Sequence, residues 1–425
     1  MDKTNPKYQA YIEILNEELV PAMGCTEPIA LAYIASKARD ILGALPEQVV
    51  VKASGSIIKN VKSVIVPNTN HLKGIPAAIV AGLIAGQSHK ELEVISEVNE
   101  DQIKDMNFYL EKENISVEYL DSENVFDIII ILKHQNDEVL VRIKDFHTNI
   151  VLIEKNGEVL FEKKEEATEV QTRVDRSLLD MESIWDFINS VDVNELAYIL
   201  NRQIQYNTAI SEEGLKNDYG ANIGKVLLKM DGDNIRTRAK AKAAAGSDAR
   251  MNGCELPVII NSGSGNQGIT CSVPVIEYAK ELNVSHEKLL RALALSNLIA
   301  IHEKTGIGTL SAYCGAVSAA AGAGAGIAYL HGGDYKDIIH TIVNGLAIVS
   351  GIVCDGAKAS CAAKIASSID AAILGYHMYQ NGQEFKSGDG IVMNGIEATI
   401  KSVGHLGKEG MKETNKEIIK LMINC

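Results

Sequence analysis

The run Ser318-Ala319-Ala320-Ala321-Gly322-Ala323-Gly324-Ala325-Gly326 lies inside a stretch, Thr305 to Gly333, that carries no Asp, Glu, Lys or Arg. The stretch is long enough to span a bilayer. Its small side chains are too weakly hydrophobic to insert well, however, and no aromatic belt flanks it. It therefore reads as a helix buried inside a protein, with glycine and alanine admitting neighbouring helices at close range. The flanks agree: Leu289, Leu293, Ser296, Leu298 and Ile301 recur at helical spacing before it, and Ile338 to Val353 continue the pattern after it. A helical domain built around this run is the expected core of the molecule.

Outward from there the texture changes in three parts. Residues 176–425 read as all helical, beginning with Met181, Trp185, Ile188 and Val191. Residues 46–175 are mixed. Val49–Val51, Ile57–Ile58, Val64–Val66, Val125–Leu132, Val139–Val141 and Ile150–Ile153 look like short strands, separated by an apolar helix over Ile75–Ala85 and a charged one over Lys90–Glu113. The run Lys163-Lys164-Glu165-Glu166, followed by Thr168, marks the boundary or simply a solvated face. Residues 1–45 read as helices packing on the helical domain, with Pro21 to Pro28 as a non-helical joint. The fold class expected is α+β: a predominantly helical domain with an inserted small α/β domain.

Composition narrows the partners. The chain has 425 residues, enough for two or three domains, and 41 basic against 55 acidic residues give a formal net charge of −14. That balance repels phosphate backbones and argues against nucleic acid. Seven cysteines, an odd count, follow a polar opening, Met1 to Lys7, without the pattern of a signal peptide. The reducing cytoplasm, where thiols stay free for metal, is the expected compartment. The mixed surface is compatible with a homodimer.

Three of those cysteines, Cys314, Cys354 and Cys361, sit among small residues: Ser311-Ala312-Tyr313-Cys314-Gly315-Ala316 and Cys354-Asp355-Gly356-Ala357-Lys358-Ala359-Ser360-Cys361. Three thiolates rather than four would hold an iron–sulfur cube and leave one iron open to substrate. The plain alternative is that buried cysteines act as small hydrophobes, since the spacing matches no recognised zinc or ferredoxin pattern. An unbroken helix would hold Cys354 and Cys361 roughly 10 Å apart along its axis. Gly356 offers a break, placing Cys354 at a helix end and Cys361 just beyond a turn.

Cys25 stands in the Pro-bounded joint just before a helix, where it is either a structural residue or a thiol whose pKa the helix N-terminus lowers. The loop Ser262-Gly263-Ser264-Gly265-Asn266 presents backbone N–H groups and short donors suited to a carboxylate, or forms only a tight turn. No phosphate-binding motif is present in it. Arg250 is the nearest cation for such a carboxylate, or a partner for Asp248. His147, between two strand-like runs, is not chosen as the base.

Pro21-Ala22-Met23-Gly24-Cys25-Thr26-Glu27-Pro28, His147-Thr148-Asn149-Ile150, Ser247-Asp248-Ala249-Arg250-Met251, Ser262 to Gly268 and Cys354-Asp355-Gly356-Ala357 together resemble the L-cysteine desulfidase family. That family is related to the iron–sulfur L-serine dehydratases. The resemblance runs over nearly the whole chain in order. It implies an oxygen-sensitive [4Fe–4S] enzyme, independent of pyridoxal phosphate, that converts L-cysteine to pyruvate, ammonia and hydrogen sulfide. Its helical domain would be catalytic, with Cys314, Cys354 and Cys361 as cluster ligands and Cys25 as the catalytic cysteine. Ser262, Gly263, Ser264, Gly265, Asn266 and Arg250 would bind substrate. Cys425 departs from the pattern, and Cys254 and Cys271 read as packing residues. L-serine dehydration is the competing chemistry; a pyridoxal-phosphate lyase and a non-enzymatic iron or redox sensor are the more distant alternatives.

Overall fold

The computed structural model describes residues 1–122, 124–163, 174–308 and 311–423. Cys425 and the expected boundary at 164–168 lie outside the described residues. The N-terminal half runs α1 (Pro6–Glu18), β1 (Pro21–Met23), α2 (Thr26–Leu42), β2 (Gln48–Ala53), α3 (Gly55–Val61), α4 (Gly74–Ala85), α5 (Glu100–Leu110), β3 (Ile115–Tyr119), β4 (Asp127–His134), β5 (Asp137–Lys144), β6 (Ile150–Lys155) and β7 (Glu158–Glu162). The second half is helical apart from β8 (Pro257–Ile259): α6 (Met181–Ser190), α7 (Asn194–Lys216), α8 (Ile223–Asp231), α9 (Ile235–Met251), α10 (Gly265–Glu281), α11 (His286–Ile307), α12 (Gly315–Leu330), α13 (Tyr335–Val349), α14 (Cys361–Gln380), α15 (Ile396–His405) and α16 (Lys412–Ile423). This is an α+β protein with a mostly helical domain, a small mixed six-stranded sheet and a two-stranded pair, β1 with β8.

The uncharged run forms α12, buried from Ala316 to Ala328 and packed against α10, α11, α13 and α14. Gly322 makes that possible. A Cβ there would stand 2.3 Å from the Ser296 carbonyl oxygen of α11, so any larger residue would push the two helices apart. Among the described residues, no helix is long and apolar enough to cross a membrane.

The sheet has the order β3-β2-β4-β5-β6-β7, with β2 and β3 parallel and the remaining pairs antiparallel. Strand alternation builds its inner face: Val49, Val51 and Ala53 stand opposite Leu132, Ile130 and Ile128, which in turn face Val139, Val141 and Ile143. All nine are fully buried, together with the apolar sides of α2 and α4, in one hydrophobic core. A second core gathers the helices from α6 onward. The first 45 residues do not sort as a unit. Tyr8, Tyr11, Ile14 and Leu15 of α1 join the helical core, whereas Ile29 to Leu42 of α2 join the sheet core.

Several local expectations are corrected. Ile57-Ile58 lies in α3, where Ile57 and Val61 form a buried i, i+4 pair instead of a strand. Val64–Val66 is no strand; it contributes one isolated bridge, Ile65 to Lys73, before Pro67 ends the run. The charged helix over 90–113 is broken, because Asn99 and Gln102 close a capping box that starts α5 afresh at Glu100. Strands β3 and β7 are not among the expected strands; both carry mostly exposed residues, although β3, Ile115-Ser116-Val117-Glu118-Tyr119, does alternate apolar with polar.

Candidate active site at the seam between the two cores

Short β1 pairs antiparallel with β8, Pro21 to Ile259 and Met23 to Pro257. Each strand leads into a helix, so the pairing sets the start of α2 beside the start of α10. Cys25 is the N-cap of α2 and Ser264 the N-cap of α10, and the Thr26 hydroxyl donates to the Gly263 carbonyl at 3.1 Å. The turn before α10 is tight, with Ser262 at φ 49° and Gly263 at φ 75°, and Asn261 and Ser264 bridge across it.

A second pairing brings the cysteines in. Tyr313 and Val353 form a bridge, the Cys314 amide donates to the Ile352 carbonyl, and the Cys354 amide donates to the Ala312 carbonyl. Cys314 is the N-cap of α12, and Cys361 is the first residue of α14. Cys354 itself lies in the connection after α13, which ends at Val349 rather than continuing to Val353 as its apolar pattern suggested. Gly356, at φ 97°, supplies the expected break: a Cβ there would stand 2.3 Å from the Lys59 carbonyl oxygen. Four long helices thus begin at one place, with their positive dipole ends together. Such a place attracts anions.

The place is a cavity of about 110 Å³. Cys25, Arg250, Ser262, Gly263, Ser264, Asn266, Cys314, Cys354 and Cys361 all line it. Gly265, also expected there, acts instead by what it leaves out. A Cβ on it would stand 2.2 Å from the Arg250 Nε, so only glycine lets the guanidinium lie across the start of α10. An outer chamber of about 640 Å³ shares His147, Ser262, Gly263 and Lys304 with the cavity and forms its approach.

Arg250 is only 2% exposed, and its Nη1 donates to Asn266 Oδ1 at 3.1 Å. It forms no ion pair among the described residues, Asp248 included, and its Nε has no hydrogen-bond partner. Asn60 Oδ1, Gln267 Oε1 and the Tyr313 hydroxyl are likewise buried without partners. Buried donors and acceptors of this kind are rare unless something fills them. A carboxylate is the group a buried, half-satisfied guanidinium lacks.

Cys25 corrects its expectation. The helix N-terminus does not make it a thiolate: burial and the neighbouring Glu27 carboxylate push its thiol well above the ordinary cysteine value. Its Sγ donates to Glu27 Oε2 at 3.0 Å, and Asn60 donates to Glu27 Oε1 at 3.0 Å. Burial works to raise the Glu27 carboxyl too, but His147, the Cys25 thiol and Arg250 outweigh it and hold Glu27 below its usual range. Glu27, Asn60 and His147 therefore belong to the cavity, although none of them is chosen from the sequence as a site residue. His147 stacks edge-on against Phe126, with ring centroids 4.7 Å apart, at the end of β5. Only the sheet's register carries it across to the helical domain.

The cysteine triplet is tested by its surroundings. Burial pushes Cys314 up to about 12 and raises Cys361 as well, so both are thiols until a metal draws their protons off. Lysines surround them. Lys358 and Lys364 are held by Asp355, while Lys59 donates to the Cys354 carbonyl at 3.3 Å and Lys304 lines the cavity. Among the described residues, no group of three or more His, Cys, Asp or Glu converges to hold a single metal ion. A cube takes each thiolate on a different iron, so ligands around a cavity, rather than at a point, are what it asks for. Small walls, cationic neighbours and three free thiols fit such a group. Cys254 and Cys271 are buried in packing positions away from it.

Residues 89–420 match the serine dehydratase alpha chain family, and the chain belongs to that family. Its class is that of the serine-dehydratase-type lyases. It is 59% identical to a UPF0597 protein of Desulfitobacterium hafniense, over 100% of this chain and 99% of the relative. UPF0597 proteins of Lachnoclostridium phytofermentans and Treponema denticola are 55% and 48% identical, covering 98% and 100% of this chain and 100% and 99% of theirs.

Proposed function

We propose that the protein is an L-cysteine desulfidase, eliminating hydrogen sulfide from L-cysteine to leave pyruvate and ammonia, with a [4Fe–4S] cluster held by Cys314, Cys354 and Cys361. The observation that carries this reading is the meeting of three thiols, an unpaired buried guanidinium and four helix N-termini in one small cavity. When bound, the cluster would supply a Lewis acid at its open iron, making the β-substituent a better leaving group. Soft sulfur suits such a site better than a neutral hydroxyl does, which favours cysteine over serine.

The chain's own residues supply the rest. Arg250 and the 262–266 turn receive the substrate carboxylate and stabilise negative charge that spreads from the α-carbon. The α-proton leaves to the Cys25–Glu27 pair. Glu27 accepts the thiol proton through the hydrogen bond already in place, freeing Cys25 Sγ to take the proton from carbon. Burial of both side chains excludes competing water. Aminoacrylate then departs through the outer chamber and hydrolyses in solution. A small-molecule substrate, the cytoplasm as compartment and a homodimeric state complete the reading.

L-Serine dehydration is the second reading, and the family match favours it. Anaerobic purification followed by parallel assays with L-cysteine and L-serine separates the two. Desulfidase activity requires pyruvate from cysteine with equal release of sulfide. Efficient pyruvate formation from serine, with no sulfide from cysteine, would move the protein to the dehydratases.

A further inference from the structure

Two lysines near the thiols are buried without a salt bridge among the described residues, Lys59 feeling Asp355 and Glu27 only at longer range. Lys304, on α11, is 6% exposed, and its ammonium makes no hydrogen bond and no ion pair among the described residues. It lines both the inner cavity and the outer chamber, within electrostatic reach of Cys314 and Cys354. Lys59, on α3, is 2% exposed; it donates to Asn415 Oδ1 at 2.7 Å and to the Cys354 carbonyl, both neutral acceptors. The two lysines also repel each other. The carboxyl adjacent to Lys304, Glu303, is itself fully buried and held by that burial far above its ordinary range, so it offers no counter-charge. Lys358 and Lys364 differ, because Asp355 already neutralises them.

An unpaired ammonium ion is costly to bury, and two of like sign are costlier. A fold keeps such an arrangement where a resident anion compensates it. A cube with two positive charges on its core and three thiolate ligands is a net monoanion; Lys304 lines the cavity that would hold it, and Lys59 holds the carbonyl of Cys354, one of its ligands. Resting on the reading of the three cysteines as cluster ligands, we infer that Lys59 and Lys304 form a charge clamp, one lysine from each core, that retains the cluster and sets its potential. They are positioning residues. Neither is needed to touch the reacting carbon.

The test compares wild type with Lys304→Met, Lys59→Met and Lys304→Arg, all purified and reconstituted anaerobically. Expected for Lys304→Met and Lys59→Met is faster loss of iron and acid-labile sulfide to a chelator, with affinity reduced on the order of 10–100-fold. The remaining cluster should have a more negative midpoint potential, because reduction adds an electron beside one fewer positive charge. Lys304→Arg should restore both properties in large part. The cluster-free Lys304→Met protein should melt above cluster-free wild type, since an uncompensated buried charge has gone. Unchanged chelator resistance and potential in the methionine variants would overturn the clamp, as would a lower melting point of cluster-free Lys304→Met. A wild type that holds no iron or sulfide after reconstitution would sink the cluster reading itself, and the clamp with it.

Discussion

Cys25 shows how a residue's role depends on what the fold sets beside it. Its place at a helix N-terminus argues for a thiolate, yet burial and the Glu27 carboxylate keep the proton on sulfur. On the proposed function the reactive unit is the pair, and the two residues should act together. Cys25→Ala and Glu27→Gln are each expected to lower turnover by about 10²-fold or more. The double variant should cost little beyond either single one, as for groups that work as a unit. Iron and sulfide content should stay at the wild-type level throughout. Steady-state kinetics with metal analysis checks this, and full activity in Cys25→Ala would remove the pair from the mechanism. The cysteines themselves were legible by their small neighbours. Glu27 and His147 stand inside the motifs that carry the resemblance without being chosen, and Asn60 stands in none; the partners that draw them to the site, Asn60 for Glu27 and the helical domain for His147, are distant in sequence.

At the level of elements, the recurring device is a helix N-terminus aimed at one point. Sequence marks these starts well: Cys314 before the Gly/Ala helix, Ser264 after an apolar strand, Cys25 before Thr26-Glu27-Pro28. It marks their meeting not at all, since β1 and β8, the strands that join two of them, are three residues each. The same device recurs nearby in a costlier form. Asp248 of α9 is 1% exposed and accepts the Gly224 amide in the first turn of α8, yet burial outweighs that bond and raises its carboxyl to about 6. A carboxyl raised in the folded state contributes stability that is fully present below its unfolded pKa and lost as pH rises through its folded one. From 3.8 to about 6 the loss is on the order of 3 kcal/mol, at ~1.4 kcal/mol per pH unit. Asp248→Asn should lack this decline. Thermal melts of both proteins from pH 4 to 8 should therefore diverge with rising pH, the variant becoming the more stable. Parallel curves would show that the carboxyl titrates normally.

For the molecule as a whole, the site belongs to neither core. Glu27, Asn60 and His147 come from the sheet side, and Arg250, the 262–266 turn and the three cysteines from the helical side. Cys25 packs with Val64, Met251, Ala357 and Cys361 in a small cluster of its own between them. A group bound there ties two cores together, and its removal should loosen both. Hydrogen exchange of cluster-loaded and cluster-free protein should show protection lost in segments 56–60 and 145–149 as well as in 311–316 and 352–361. Loss confined to the cysteine segments would place the bound group on the helical domain alone.

By itself the sequence determined the fold class, the buried run at the centre of the helices and the kind of side chains that could hold a metal and a carboxylate. These are local properties: an uncharged Gly/Ala stretch too weakly hydrophobic for a bilayer is buried between helices, and strand alternation declares which faces turn inward. The tertiary structure alone decided that α2 leaves α1 for the sheet, that His147 reaches the cavity, and that Cys25 keeps its proton. Each of those depends on pairings between residues far apart in the chain, whose burial and electrostatics exist only after the two cores have closed on one another.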